Sequence, residues 1–463
     1  MKYFKKLEII FLLSLFLFSV PQLFSQHDVL VLEGGRIITI TRGIIEQGTI
    51  VIEKGRIVDI GKNIFTPEKS KVIDVSSFTI LPGLIDSFTD LGAVDVEEDQ
   101  RDNDEATHPL TPHLRIIDAL NPANRFIPLA RNSGITTALT APGEGNLLSG
   151  QSALIHLFGE KVEEMIVKFP VAVHANLGEL PKLRYGEKGR MPSTRMGEAA
   201  LLRQTLIDVQ GYIKKMEDYE RKKEQSNEKI IPPDIDLKLQ SLIPVIKREL
   251  PLIVRANRYD DILTALRIGE EFDLRIILNH GAEAYRLAET LADHKIPVLV
   301  GPFSSYYQRM ETKNSCYQNV AQLSRRGVKF SFQTGGVNNF STLINQAKTA
   351  IKYGLSLEEA YKGLTLYPAQ ILGLEGELGS LEKGKIADIV VFSGDPLEEI
   401  STVKLVIIKG KIMHSCLNDI PYSSLNPNHE ILRLRFYFRE MYQRNQNTYS
   451  ASRKTTRITE AIW

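Results

Sequence analysis

Four short apolar runs in this chain each lead to a side chain able to carry a metal, a proton or a charge. Leu81-Pro82-Gly83-Leu84-Ile85 runs into Asp86, with Asp90 a little further on. Val171-Ala172-Val173 ends in His174, Leu252-Ile253-Val254 in Arg255, and Ile276-Ile277-Leu278-Asn279 in His280. A carboxylate oxygen and two imidazoles are donors that zinc accepts, and three protein ligands plus water complete its usual shell. An imidazole can also serve alone as a general base near neutral pH. Arg255 can do neither, because a guanidinium does not give up its proton, and its charge repels a cation.

Side chains so far apart in the chain meet only if the runs that carry them end at one place. Apolar runs of this length, alternating with helical patterns, predict buried parallel strands whose ends open on the mouth of a barrel. Further strands are expected at 134–140, 297–302 and 329–336, and helices at 259–272 and 357–366. The stretch 81–369 has the length of one (β/α)8 TIM barrel, since such barrels run to roughly 250 residues or more. A polar helical insertion falls at 197–249, where the mixed charges of Lys214 to Glu224 read as a solvated face. The loop Gly143-Glu144-Gly145-Asn146 is glycine-rich, but with no Gly-Lys-Ser/Thr and no following helix it does not read as a phosphate cradle.

Before the barrel, 26–80 carries short β-rich runs with Gly34-Gly35 and Lys54-Gly55 at hairpin positions, which predicts a small antiparallel sheet. Matching runs return at 387–392 and 403–411, so a β-sandwich domain built from 26–80 and 370–415 closes around the barrel. Lys2, Lys5 and Lys6 ahead of the apolar run Ile9 to Val20, with Ser25 before Gln26, read as a signal peptide over 1–25. Export to a bacterial periplasm or to the outside of the cell is the expectation, with no transmembrane anchor left after cleavage. From 416 to 463 the chain is a basic tail, Arg433, Arg435, Arg439, Arg444, Arg453, Lys454 and Arg457 interleaved with apolar residues. It reads as an amphipathic helix docked on the barrel or on a neighbouring subunit; a surface for anionic lipid or polysaccharide is the sharper alternative. Net charge is +1, from 57 basic and 56 acidic residues, which gives no support to a nucleic-acid partner. Cys316 and Cys416 stand far apart and are expected as two free buried thiols.

The run from Leu81 to Asp90 resembles the first barrel strand of the amidohydrolase superfamily, the metal-dependent hydrolases of the imidazolonepropionase and dihydroorotase kind, in which it reads P-G-x-I-D-x-H-x-H. Gly379 to Asp388 resembles the same family's G-x-L-x-x-G-K-x-A-D signature, in which Asp388 is expected to form a turn or cap. The resemblance implies a TIM barrel with a β-sandwich from both chain ends, hydrolysis of non-peptide carbon–nitrogen bonds, and one or two divalent metals. It also marks where this chain departs. The first-strand histidines are Phe88 and Asp90, the bridging lysine is His174, the next histidine is Arg255, and the catalytic aspartate falls at Thr334 or Gly335; only the sixth-strand histidine survives, as His280.

Two arrangements of the remainder are open. In one, Asp90, His174 and His280 rebuild a site for a single zinc ion; a separate hydrolase reading is metal-independent or one-metal hydrolysis of a cyclic amide or dipeptide-like substrate with His280 as the base. In the other, which is favoured, Asp90 and Arg255 form an ion pair that plugs a metal-free pocket, and the two histidines are hydrogen-bonded core residues. The protein is then a catalytically impaired or inactive member of its lineage. It would bind a small molecule in the barrel mouth, or assemble as a homodimer or a hetero-oligomer with an active relative.

Overall fold

A computed structural model describes residues 29–95, 101–225, 231–303, 309–337, 342–398 and 400–417. The expected signal peptide and the basic residues Arg433 to Arg457 lie outside these. Among the described residues no helix is long and apolar enough to cross a membrane.

The strands in chain order are β1 (Val29–Ile38), β2 (Ile44–Glu53), β3 (Arg56–Gly61), β4 (Ser70–Asp74), β5 (Thr79–Pro82), β6 (Leu84–Thr89), β7 (Ile135–Thr140), β8 (Leu148–His156), β9 (Ile166–Asn176), β10 (Leu252–Ala256), β11 (Ile276–His280), β12 (Val298–Val300), β13 (Phe330–Phe332), β14 (Ile389–Phe392), β15 (Val403–Ile408) and β16 (Lys411–Ser415). They form two sheets. The first has the order β16-β15-β14-β5-β1-β2-β3, with β4 on β1, and so joins both ends of the described chain. It is mixed where an antiparallel sheet was expected, because β1 runs parallel to β4 and β5. Lys54-Gly55 turns a hairpin between β2 and β3 with both residues at positive φ. Gly34-Gly35 does not. The chain passes through it as one strand with a register shift, and a Cβ on Gly35 would lie 2.7 Å from Ile80 Cδ1, so packing against β5 is what calls for glycine there.

The second sheet is the barrel, in the order β13-β12-β11-β10-β9-β8-β7-β6. Its ends meet through Gly335 N–H to Phe88 O (3.0 Å) and Ser87 Oγ to Phe332 O (2.8 Å). Strands β9 to β13 are parallel, as are β6 and β7, but β8 is antiparallel to both of its neighbours. The sequence pattern predicts no strand at β8. The connection between β7 and β8 is too short for a crossover helix, so the chain can only double back.

Inside the barrel, Ile85, Leu139, Leu154, Ala172, Ile253, Ile277 and Leu299 belong to one buried apolar cluster. Two residues further along three of these strands, on the same face, stand His174, Arg255 and Asn279, so the apolar layer gives way to a polar one toward the C-terminal end. The insertion is a helix pair, Arg195–Gln225 and Leu237–Ile246, the second capped by Asp236. Leu202, Leu206, Val209, Leu242 and Val245 bury against the outer faces of β9 and β10, each contributing about 1.5–3 kcal/mol.

Gly83 is the residue at which the chain leaves one sheet and enters the other. Its N–H donates to Asp388 O (2.8 Å), and a Cβ there would lie 2.0 Å from Thr136 Oγ1. Asp388 does more than form a turn: its Oδ1 accepts from Lys409 N (2.9 Å) and its Oδ2 lies 2.9 Å from His156 Nε2, tying β14 to the barrel. The cysteines are both free, and the burial expected for them does not hold, since Cys316 is half-buried and Cys416 exposed.

Candidate active site at the barrel mouth

The polar layer is organised around Arg255, which is 5% exposed. Its Nε lies 3.2 Å from Glu144 Oε2 and its Nη2 donates to Glu311 Oε2 at 3.2 Å. Burial works against the guanidinium's charge, and the two carboxylates more than offset it, so its pKa stands above the ordinary value. The expected pair of Asp90 and Arg255 is therefore not formed. Asp90 instead accepts from Val337 N (2.8 Å) and is held above the usual carboxylate range by its burial. The reason is reach: Glu144, on the connection after β7, and Glu311, in the short 3-10 turn Met310–Thr312, both come to Arg255, whereas Asp90 sits past the end of β6, tied to the loop after β13.

Glu144 meets three side chains. Its Oε1 lies 2.6 Å from His280 Nε2 and accepts from Asn279 Nδ2 at 3.4 Å, while its Oε2 faces Arg255. Desolvation opposes its ionisation, but the charges of His280 and Arg255 win and hold its carboxyl at about 2. His280 sits at the end of β11 with φ +67, a conformation that side chains other than glycine adopt rarely, and its N–H donates to Asn279 Oδ1 (3.0 Å). Asn279 Oδ1 also accepts from Gln333 Nε2 (2.8 Å).

His174 is in a different state. Burial pushes its imidazole down to about 3, so it is neutral, and its Nε2 is buried without a hydrogen-bond partner. Phe88 stands between the two histidines, its ring centroid 5.7 Å from that of His174 and 6.0 Å from that of His280. Thr334, one of the two residues expected at the family's aspartate position, donates from N (3.0 Å) and Oγ1 (2.5 Å) to Asp86, whose burial raises its carboxyl to about 7.

These residues do not fit a divalent metal. Among the described residues no three His, Cys, Asp or Glu side chains are gathered in a group that could hold one. Asp90, His174 and His280 are each in the barrel mouth, yet Asp90 Oδ1 accepts from backbone and His280 Nε2 lies against Glu144, while His174 Nε2 is buried without a hydrogen-bond partner. The ring of Phe88 contacts both histidines, and a buried guanidinium stands close by. Sequence reasoning missed Glu144 and Glu311. A signal for them existed, because an arginine ending a buried strand demands a carboxylate.

Outside Glu311 the mouth opens into a cleft of about 520 Å³, lined from the connections after β9, β10, β11 and β12. Glu198 and Asp261 lie behind it; burial raises Glu198 to about 7, and Asp261 is paired with Arg195 (2.6 Å).

A sequence model described as the amidohydrolase family matches residues 256–413. The chain is similar to a solved amidohydrolase from Thermotoga maritima, 35% identical, with a TM-score of 0.79, covering 83% of this chain and 100% of that one. It is 24% identical over 353 residues to amidohydrolase tasK of Hapsidospora irregularis, 72% of this chain and 36% of tasK. Over 100 residues it is 32% identical to an imidazolonepropionase of Acidiphilium cryptum, 21% of this chain and 24% of that enzyme. The chain thus spans about a third and about a quarter of the lengths of these two curated relatives.

Proposed function

Because this chain belongs to the amidohydrolase superfamily, hydrolases of carbon–nitrogen bonds, we propose that it is a member whose metal-dependent chemistry has been disarmed and that it acts by binding a small molecule at the barrel mouth. The observation that carries this is the pairing of Arg255 with Glu144 and Glu311 beside a phenylalanine wedged between the two histidines. A fixed organic cation answers the site's carboxylates, and Thr334 in place of an aspartate supplies no proton shuttle. A second reading, hydrolysis with one metal in a rebuilt site, has one observation in its favour: the unpartnered Nε2 of His174.

One measurement separates them. Protein purified without added metal, and again after incubation with zinc, manganese or iron, is assayed by elemental analysis and for turnover of cyclic amides and acyl dipeptides. The disarmed reading expects neither retained metal nor turnover. About one equivalent of metal, lost on His174→Ala, together with hydrolysis would overturn it. Export belongs to the same proposal, supported by the basic and apolar N-terminal residues. So does assembly with an active relative, which the mass of the purified protein tests.

A further inference from the structure

The cleft outside Glu311 is built from four consecutive strand-to-helix connections on the C-terminal face, where barrels of this type place their ligands. Its volume, about 520 Å³, is in the range of small-molecule sites. Charge is abundant in its walls but mostly spent. Arg258 is paired with Asp260 (2.8 Å), Arg286 with Glu283 (2.9 Å), and Glu179 with Arg309 (2.9 Å). Glu311 faces Arg255 on its inner side (3.2 Å). Two cations are left over, Lys182 and Lys313, neither of whose ammonium groups is in an ion pair or side-chain hydrogen bond among the described residues.

The backbone donors that a phosphate would use are also spent. Glu179 N–H, at the start of the helix Glu179–Gly186, donates to Glu311 Oε1 (3.0 Å), and Tyr259 N–H, at the start of the helix Tyr259–Glu271, donates to Glu283 Oε2 (3.2 Å). With protein carboxylates already near both helix starts, a multiply charged anion meets repulsion where it would seek donors. A single carboxylate meets less of that repulsion, and two ammonium groups are among the residues that line the cleft. A flat wall is available for the rest of the molecule, where Arg286 lies 4.5 Å over the ring of Tyr259.

We propose that this cleft binds a small carboxylate-bearing molecule, with Lys182 and Lys313 holding the carboxylate. The proposal rests on the binding reading given above and names the ligand class for it. Glu311 is shared between the cleft and Arg255, so a ligand here lies one side chain from the buried network.

The test is calorimetric titration of the purified full chain at low salt with N-acetylglycine, succinate and inorganic phosphate. Saturable binding of N-acetylglycine or succinate is expected, weakened about fivefold by Lys182→Met or Lys313→Met and about twentyfold by both. Added salt weakens it further. Lys182 is half-buried and Lys313 exposed, and thermal unfolding of each variant checks that it folds. The proposal is overturned if neither carboxylate binds saturably, if phosphate binds more tightly than both, or if the double variant binds as the wild type does. Release of acetate from N-acetylglycine would count against the disarmed centre instead, and the lysine dependence still decides the cleft.

Discussion

Replacing Arg255 by methionine keeps the apolar stem and removes the cation that, among the described residues, faces both Glu144 and Glu311. The side chains of Arg255 and Glu311 are 6% and 1% exposed and that of Glu144 21%, so water screens this network poorly. Glu144 stands at about 2 against an ordinary 4.5. That depression corresponds to roughly 3 kcal/mol at about 1.4 kcal/mol per pKa unit, shared with His280. Glu311 loses a hydrogen-bonded partner as well. The expected loss of folding stability is about 3 kcal/mol near pH 8, at the lower end of what removing one member of a buried pair costs.

The sign of the pH dependence follows from the same residues. In the wild type Glu144 titrates lower folded than unfolded, so its contribution is present above about pH 4.5 and fades as pH falls toward 2. In the variant the buried carboxylates of Glu144 and Glu311 lose the guanidinium that favours their ionised forms, so the damage grows as pH rises. Urea denaturation of both proteins at about pH 8 and about pH 5.5 measures this. A loss below about 1 kcal/mol, as for a surface pair, or an equal loss at the two pH values, would refute the reasoning. Adding Glu144→Gln and Glu311→Gln to the variant should recover more than half of the loss, since uncharged amides need no counter-ion.

Three further outcomes are expected. Asp86 titrates at about 7 in the fold against 3.8 as its ordinary value; its stabilisation is therefore fully present below about pH 4 and lost as pH rises through about 7, and Asp86→Asn should flatten the stability profile over that window, seen in urea midpoints. Phe88→His alone should leave metal content at zero because Arg255 still stands beside the site, whereas Phe88→His with Arg255→His should retain about one zinc by elemental analysis; zinc in the single variant would show that the guanidinium is no barrier. Gly83→Ala drives a methyl into Thr136, where the nearest atom is 2.0 Å from the ideal Cβ, and should cost about 3 kcal/mol, partly relieved by Thr136→Ala in the same chain.

Much of this protein is a local matter and is therefore legible in one dimension. The period of the apolar runs at β7, β10, β11, β12 and β13 marks strands, since burial on both faces leaves no polar alternation. The sequence pattern puts Leu81-Pro82 in the barrel strand, but they belong to β5 of the first sheet, and the crossing at Gly83 is set by its close approach to Thr136. The absence of a ligand at Phe88 and Arg255 is a property of residue type and needs no coordinates. What those residues do instead was decided by tertiary structure. His280 meets Glu144 across 136 positions, and Arg255 meets Glu311 across 56, both through loops whose paths no local periodicity encodes. Strand β8 was hidden for a related reason, since its antiparallel course depends on a short connection and not on its own pattern. A carboxylate for Arg255 could be demanded from sequence alone, but three acidic residues at very different positions could answer it. Only the folded chain, by setting which of them reaches the guanidinium, chose Glu144 and Glu311 over Asp90.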